Sequence, residues 1–190
     1  MRALKTLAKT VLYRPRVGSI GKRSWVRRPW LIDGGQNIVI GDDCHIRENA
    51  WLATFTEYAG KQHRPALRIG NQVYIGRYAC ITSADSVSIG DRCVLSEHVY
   101  IADSSHGYDP EGGYIMEQPL QLKGGVSIGN DCFIGYRVIV APGVSLGQHC
   151  VVGGNSVVTK SFPAYSMVAG IPAKIIKRYD MSLKKWIKVD

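Results

Sequence analysis

The 190-residue sequence has no apolar run close to the roughly 20 residues that a membrane-spanning helix needs. Charged residues also interrupt every candidate signal core near the N-terminus. The five cysteines are odd in number and include no C-x-x-C pair, which argues against a disulfide framework and against a zinc knuckle. We therefore expect a cytoplasmic protein whose cysteines stay reduced.

Neither the composition nor the charge is that of a disordered chain. Hydrophobic residues make up 45% and charged residues 21%, as in globular domains, and the 21 glycines indicate many tight turns. The net charge of +9 is concentrated near both ends, where it could attract nucleic acid, an anionic membrane or a phosphorylated small molecule. Nucleic acid is not expected, because the aromatic residues do not interleave with the basic ones as stacking platforms would.

A six-residue repeat of aliphatic residues runs through most of the chain. Its longest set is Ile128, Ile134, Val140, Leu146, Val152 and Val158. Shorter sets are Ile20, Val26, Ile32 and Ile38; Ile40, Ile46 and Leu52; Ile69, Ile75, Ile81 and Val87; and Ile89, Leu95 and Ile101. Members six apart would point about 240° apart on an α-helix but share one face of a strand. The repeat therefore predicts short strands.

Two further positions of the repeat carry a preference. Glycine often follows the aliphatic residue, as at Gly70, and predicts a corner with unusual dihedral angles there. Compact side chains recur four residues after the aliphatic position, and four of the five cysteines are among them: Cys44, Cys93, Cys132 and Cys150. This placement predicts packing in a narrow interior, so no cysteine is proposed as a nucleophile. Cys80 lies outside the pattern.

Strands this short cannot bury an apolar face alone, so they must stack into a parallel β-helix with coils about 4.8 Å apart. The hexads, which read I-G-x-x-C/V-x, resemble those of the hexapeptide-repeat acyltransferase family over residues 20–178. The resemblance implies an all-β fold, a left-handed parallel β-helix with triangular coils of three hexads each.

The same pattern divides the chain into three parts. Residues 1–19 form an N-terminal helix or cap, residues 20–160 the β-helix, and residues 161–190 an extension that the resemblance assigns to the acetyl-CoA site. Residues 55–66 and 104–125 break the register. We predict that both are loops extruded from the prism, because insertions in a solenoid commonly gather on one functional face.

The second loop carries the candidate catalytic residue. The run from Asp103 to Pro110, followed by Gln118-Pro119-Leu120, resembles the D-H-x-H-x-Y... Q-P-L segment of bacterial surface-polysaccharide O-acetyltransferases. The resemblance makes His106 the general base, a role that suits an imidazole because it is neutral yet basic near pH 7. The other candidates are Asp103 or Glu117 as the group that orients the imidazole, and Ser104 and Tyr108 as acceptor contacts. Ser104 stands where the pattern has its first histidine.

The C-terminal third contains a second resemblance, carried by Ala141-Pro142-Gly143, residues 153–160 and residues 168–174. In the family these stretches line an acetyl-CoA groove between subunits, which implies a homotrimer. The residues it assigns to the donor are Phe133, Ala141, Gly143, Gly154, Ser156, Thr159, Lys160, Lys174, Lys177 and Arg178. An extended pantetheine arm suits such a groove, since exposed backbone groups can pair with its amides.

Together these features predict an acetyl-CoA-dependent O-acetyltransferase that modifies a sugar hydroxyl in surface-polysaccharide biosynthesis. Transfer is expected to be direct, because no Cys, Ser or Lys lies in an activated-nucleophile motif. Acceptors that remain open are an antibiotic and an amino sugar. A β-helix could also serve as a non-catalytic scaffold or carry a metal hydratase. The hydratase is disfavoured because no two histidines lie four or five residues apart, so no metal is expected.

The ends of the chain leave one question open. Residues 2–13 place Leu4, Leu7 and Val11 on one stripe of an amphipathic helix that is expected to end before Pro15. This helix is interpreted as a cap that covers unpaired strand edges. It could instead make peripheral contact with the inner face of the membrane, which would suit a lipid-linked sugar acceptor.

Overall fold

The computed structural model describes residues 11–189, which form a parallel β-helix with three faces. Face 1 contains Ser19–Ile20, Ile38–Ile40, Ala66–Ile69, Ser86–Ile89, Val126–Ile128 and Ser145–Leu146. Face 2 contains Trp25–Val26, His45–Ile46, Tyr74–Ile75, Val94–Leu95, Phe133–Ile134, Val151–Val152, Ser166–Gly170, Ala173–Asp180 and Lys185–Lys188. Face 3 contains Leu31–Asp33, Trp51–Thr54, Cys80–Ser83, Tyr100–Ala102, Ile139–Val140 and Val157–Val158. The predicted triangular coils are confirmed.

The aliphatic residues of the repeat form columns inside the prism. On face 2 the Cα partners in adjacent coils are Val26, Ile46, Ile75, Leu95, Ile134 and Val152. All six are buried, and burial of one such side chain contributes about 1.5–3 kcal/mol. Backbone N–H groups donate to carbonyls of the next coil, as His45 N does to Val73 O at 2.8 Å. The apolar columns and the backbone ladder therefore support the same register.

Two members of the predicted sets lie outside the main columns. Ile38 pairs with Leu67, and Val87 pairs with Val126, two positions before the main column of face 1. All four side chains are buried, so the longer strands of this face carry a second interior row. The next coil begins at Ile40, two residues after Ile38, and this offset explains why the sets in the sequence overlap.

The prediction that glycines carry the unusual corner dihedrals is wrong. Left-handed backbone occurs instead at the corner residues Arg23, Asp43, Asn49, Gln72, Tyr78, Arg92, His98, Asp131, Arg137, His149 and Asn155. The glycines are needed because adjacent coils approach closely. A Cβ atom on Gly70 would lie 2.5 Å from Asp91 Oδ1 and 2.8 Å from the carbonyl carbon of Gly90. Coils about 4.8 Å apart leave no room for a side chain there.

The four cysteines of the compact position are buried, as the repeat predicts: Cys44, Cys93, Cys132 and Cys150. Each thiol contacts a carbonyl oxygen of the next coil, and the distance from Cys44 Sγ to Gly70 O is 2.9 Å. Burial raises the pKa of the Cys44 thiol. These residues therefore act as small interior side chains with a weak donor.

The two segments that break the register are hairpins rather than structureless loops. Glu57–Tyr58 pairs with Lys61–Gln62 in the first hairpin, and Ser104–Ser105 pairs with Gln121–Leu122 in the second. Both hairpins follow a strand of face 3 and precede a strand of face 1. We call the corner between these two faces the hairpin edge. Both insertions therefore lie on one side of the prism.

The two ends of the chain are only partly described. Most of the helix predicted over residues 2–13 lies outside the described residues. From residue 11 onward the chain forms a 3-10 helix, Val11–Arg16, which includes Pro15 rather than ending before it. Proline's φ near −65° fits a 3-10 helix, which explains the difference. Gly35–Asn37 and Ile115–Glu117 are also 3-10 helices. No helix in residues 11–189 is long and apolar enough to cross a membrane.

We expect Leu95→Ala to destabilise the protein by about 2–5 kcal/mol, because it leaves a cavity in the face 2 column. Its neighbour Val94 points outward and is 38% exposed, whereas Leu95 is 0% exposed. Val94→Ala should therefore shift stability by less than about 1 kcal/mol. Urea unfolding of both variants at one protein concentration measures the difference. Equal losses would contradict the assignment of interior and exterior positions.

Candidate active site

A cavity of about 150 Å³ lies over face 3 where the two hairpins fold toward each other. Its walls come from three places: the outer side of face 3, the first hairpin and the second hairpin. The lining residues are Trp51, Phe55, Tyr58, Cys80, Thr82, Tyr100, Ser104, Ser105, His106 and Leu120. The predicted residues His106 and Ser104 are thus brought together in a concave site, which is the usual form of a small-molecule site.

The imidazole of His106 is held by the other hairpin. Its Nδ1 lies 3.0 Å from the hydroxyl of Tyr58, and the two rings meet edge to face with centroids 5.5 Å apart. The Tyr58 hydroxyl also donates to Met116 Sδ at 3.7 Å. A hydroxyl has one proton, so both contacts form together when His106 Nδ1–H donates to Tyr58. This tautomer leaves Nε2 with a free lone pair.

The predicted role of Asp103 as the group that orients His106 is not what the structure shows. Its fully buried carboxylate accepts hydrogen bonds from Ser83 Oγ at 2.7 Å, Ala84 N at 2.8 Å and Asp85 N at 3.0 Å. These bonds tie the start of the second hairpin to the preceding coil. Asp103 therefore positions the hairpin, and three donors satisfy its burial.

The remaining predicted groups of this loop lie at its surface. Glu117 ends an exposed 3-10 helix, and Tyr108 is exposed. Within residues 11–189, the hydrogen-bond partner of the His106 ring is Tyr58 and not Glu117. The loop is held from inside by Gln118, whose buried amide bonds to the backbone of Asp109 twice, at 2.9 Å each, and to Gly113 O.

Sequence reasoning missed Tyr58. Its signal was the first break in register, which placed residues 55–66 outside the repeat without showing which side chain faces the second loop. His106 in the second hairpin and Tyr58 in the first are 48 residues apart in the sequence. Only the stacking of coils, which places both insertions at the hairpin edge, brings these residues together.

Among the described residues, Cys80 is the one cysteine that lines the cavity. It lies on the outer side of face 3, and burial raises the pKa of its thiol to about 11. The thiol form therefore dominates near neutral pH, whereas a nucleophilic cysteine needs the thiolate. The raised pKa therefore argues against Cys80 as a nucleophile.

The residues assigned to the donor fall into two groups on opposite sides of the prism. Ala141, Gly143, Thr159 and Lys160 follow face 3 strands and lie at the hairpin edge. At this edge Gly143 is in left-handed backbone, and a Cβ there would lie 2.4 Å from Lys123 O. Gly124 lies where the second hairpin returns to the prism. The donor residues at the hairpin edge therefore lie beside the hairpin that carries His106.

The second group lies on face 2 or at its border. Phe133 is exposed on face 2. The register of the paired strands places it in the same outward column as Lys177. Lys174 and Arg178 belong to one strand, Ala173–Asp180, and Gly154 follows face 2 at the next corner. One copy of the chain does not bring this group to the hairpin edge.

Ser156 cannot contact a ligand as predicted, because it is fully buried. Its hydroxyl donates to Gly153 O at 2.6 Å and accepts a hydrogen bond from Gly170 N at 3.1 Å. The residue therefore fastens the strand Ser166–Gly170 to the last coil. The sequence motif identified a residue that matters for the structure and assigned it a contact that burial excludes.

Three of the other histidines, His45, His98 and His149, pack against aromatic rings. His45 stacks on Trp25 with centroids 4.8 Å apart, and His98 stacks on Tyr78 at 4.9 Å. Within residues 11–189, no group of three His, Cys, Asp or Glu side chains is placed to hold a metal ion.

Three comparisons with known proteins bear on this site. The family model described as the hexapeptide repeat of succinyl-transferase matches residues 66–102 and 125–160. WbbJ of Escherichia coli, assigned as a lipopolysaccharide biosynthesis O-acetyl transferase, is 32% identical over 163 residues, which cover 79% of this chain and 83% of WbbJ.

Two solved structures show the fold. A variant of AntD, an N-acyltransferase from Bacillus cereus in complex with dTDP-4-amino-4,6-dideoxyglucose and coenzyme A, has a TM-score of 0.76 at 17% identity. The match covers 92% of this chain and 91% of that one. A hexapeptide-repeat acetyltransferase from Vibrio cholerae, complexed with acetyl coenzyme A, has a TM-score of 0.65 at 22% identity and covers 92% and 78%. The helix is therefore left-handed, as predicted, and the chain belongs to the hexapeptide-repeat acyltransferase family.

Proposed function

We propose that the protein transfers an acetyl group from acetyl-CoA to a sugar hydroxyl in the synthesis of a surface polysaccharide, with His106 as the general base. The observation that carries the proposal is the His106–Tyr58 contact of 3.0 Å at the wall of the cavity. It engages Nδ1 and leaves Nε2 free of hydrogen bonds within residues 11–189. WbbJ, which the chain resembles over most of its length, supports the acceptor class.

In this mechanism Nε2 of His106 takes the proton of the acceptor hydroxyl as that oxygen bonds to the acyl carbon. The proton then passes from the imidazolium to the departing sulfur, so the histidine is regenerated in each turnover. Tyr58 keeps the ring in one orientation and accepts a hydrogen bond from Nδ1–H, which makes Nε2 the basic nitrogen. Direct transfer agrees with the high pKa of the Cys80 thiol at the cavity wall.

The donor site is proposed to form between two copies of the chain in a homotrimer. The argument is geometric, because the residues assigned to the donor lie on opposite sides of one prism. A groove between neighbouring prisms would combine the hairpin edge of one copy, with Thr159 and Lys160, and face 2 of the next, with Phe133, Lys174 and Arg178. The lysines and the arginine would meet the nucleotide phosphates.

Two alternative functions differ from this proposal, one in its acceptor and one in lacking catalysis. An amino sugar is favoured by one observation, the match to AntD with its bound dTDP-amino sugar, although that match shows the fold alone. A non-catalytic scaffold would not need the paired hairpins, and it would bind no acetyl-CoA. Because acetyl-CoA is a cytoplasmic metabolite, we place the reaction in the cytoplasm, with lipid-linked acceptors presented at the inner face of the membrane.

We expect His106→Ala to lower kcat by roughly 10²-fold or more, because a positioned general base typically contributes 10²- to 10⁴-fold. The dissociation constant for acetyl-CoA should stay near that of the wild type. Release of CoA thiol measures turnover, and calorimetry measures donor binding. His45→Ala, which removes a histidine from face 2, is the control and should retain activity. Near-normal turnover of His106→Ala would remove this residue from the mechanism.

Tyr58→Phe should lower kcat by about 5- to 10-fold, the effect of one hydrogen bond of about 1 kcal/mol, with little change in the KM for acetyl-CoA. The ring remains, so packing against His106 is kept. Tyr114→Phe removes an exposed hydroxyl from the second hairpin and serves as the matched control. If Tyr58→Phe and its control behave alike, the hydroxyl does not orient the base.

Charge reversal tests the donor groove from both sides. Lys160→Glu and Lys174→Glu should each raise the KM for acetyl-CoA by about 10-fold at low salt, because each replaces an attraction to phosphate by a repulsion. Lys22→Glu, at an exposed corner of the first coil, should change it little. Sedimentation equilibrium should give three times the 20.9 kDa mass of the chain. A fully active monomer would contradict the shared groove.

A further inference from the structure

A second cavity, of about 390 Å³, adjoins the candidate active site. We call it the aromatic groove. Its lining residues are Trp30, Asn49, Trp51, Tyr78, Ala79 and Cys80. Trp51 and Cys80 also line the cavity that contains His106, so the two spaces share a wall. The two spaces therefore lie side by side over face 3.

The aromatic groove exposes apolar rings in an ordered arrangement. Trp30 is 68% exposed and Tyr78 is 51% exposed, although large apolar side chains are normally covered. Trp30 meets Trp51 edge to face at 5.3 Å, and Tyr78 is backed by the ring of His98 at 4.9 Å. These contacts fix the ring planes before any ligand arrives, which reduces the entropy that binding must overcome.

The groove and the donor residues lie on opposite sides of His106 along the prism. The hairpin that carries His106 leaves the prism after the strand Tyr100–Ala102. The donor residues of the hairpin edge, such as Thr159, belong to later coils, whereas Trp30, Trp51 and Tyr78 belong to earlier ones. A donor approaching from the C-terminal coils would leave the groove free for the acceptor.

From this arrangement we infer that the aromatic groove binds a second sugar of the acceptor, so that the substrate is an oligosaccharide or longer glycan rather than a free monosaccharide. The inference rests on the proposed function and adds to it the size of the acceptor. The C–H face of a pyranose ring packs against an aromatic ring, and its hydroxyls need polar partners at the rim. Trp30 and Tyr78 supply the rings, and Asn49 supplies an amide that donates and accepts.

The volumes of the two spaces agree with an acceptor of more than one sugar. The cavity at His106 holds about 150 Å³, less than the roughly 300–1,000 Å³ typical of small-molecule sites. The adjoining groove, at about 390 Å³, falls within that range by itself. The first space therefore leaves room for only a small acceptor group, and the larger groove offers space for a neighbouring sugar.

The test compares acceptors of different length. Methyl glycosides of hexoses, 6-deoxyhexoses and N-acetylhexosamines, each as a monosaccharide and as a trisaccharide, are assayed by release of CoA thiol. In the wild type we expect kcat/KM for the best trisaccharide to exceed that for its monosaccharide by about tenfold. Trp30→Ala and Tyr78→Leu should each lower the trisaccharide value about 5- to 10-fold through KM and change the monosaccharide value less than about twofold.

Trp25→Ala is the matched control, since it removes an aromatic side chain from face 2 of the same coil. Equal rates on monosaccharides and trisaccharides, or equal losses on both in Trp30→Ala, would overturn the inference while leaving the proposed function intact. If none of the saccharides is acetylated, both the proposed function and the inference are wrong. If Trp30→Ala instead changes the sedimentation coefficient, the groove is covered by a second copy of the chain, and the inference is wrong.

Discussion

The whole structure depends on inward-pointing aliphatic side chains that repeat in register from coil to coil. Each column, such as the one through Ile75 and Leu95, excludes water from a narrow interior, and the backbone ladder fixes the spacing of the coils. Because each coil contacts only its neighbours, the stability of the prism is close to a sum of local terms. The functional groups can then be placed on insertions without altering the core.

The spacing of six is enough to predict the strands and the buried cysteines, whereas the three faces were implied by the family resemblance. The spacing does not predict features that are caused by contact between coils rather than by the sequence of one coil. The pattern predicts unusual dihedral angles at Gly70, yet the left-handed residues are its neighbours such as Gln72, and Gly70 is needed because the next coil leaves no room. A pattern along one coil carries no information about the separation of two.

The candidate site shows the same limit. His106 was identified by resemblance, and the structure places it in the cavity. Its partner Tyr58 was missed, and Asp103 and Ser156 were assigned ligand or histidine contacts although both side chains are buried and bonded elsewhere. A motif records that a residue type is required at a position. It does not distinguish a group that contacts substrate from one that fastens the segment carrying such a group.

The two hairpins leave the prism at one corner and meet where Tyr58 contacts His106. Length can therefore be gained or lost in either hairpin without moving any rung of the core. The enclosed space would change shape while His106 stayed in place. In a lineage of such proteins, new acceptors could be reached by insertion and deletion at this corner, a faster route than repacking an interior in which every side chain is constrained by the coils above and below.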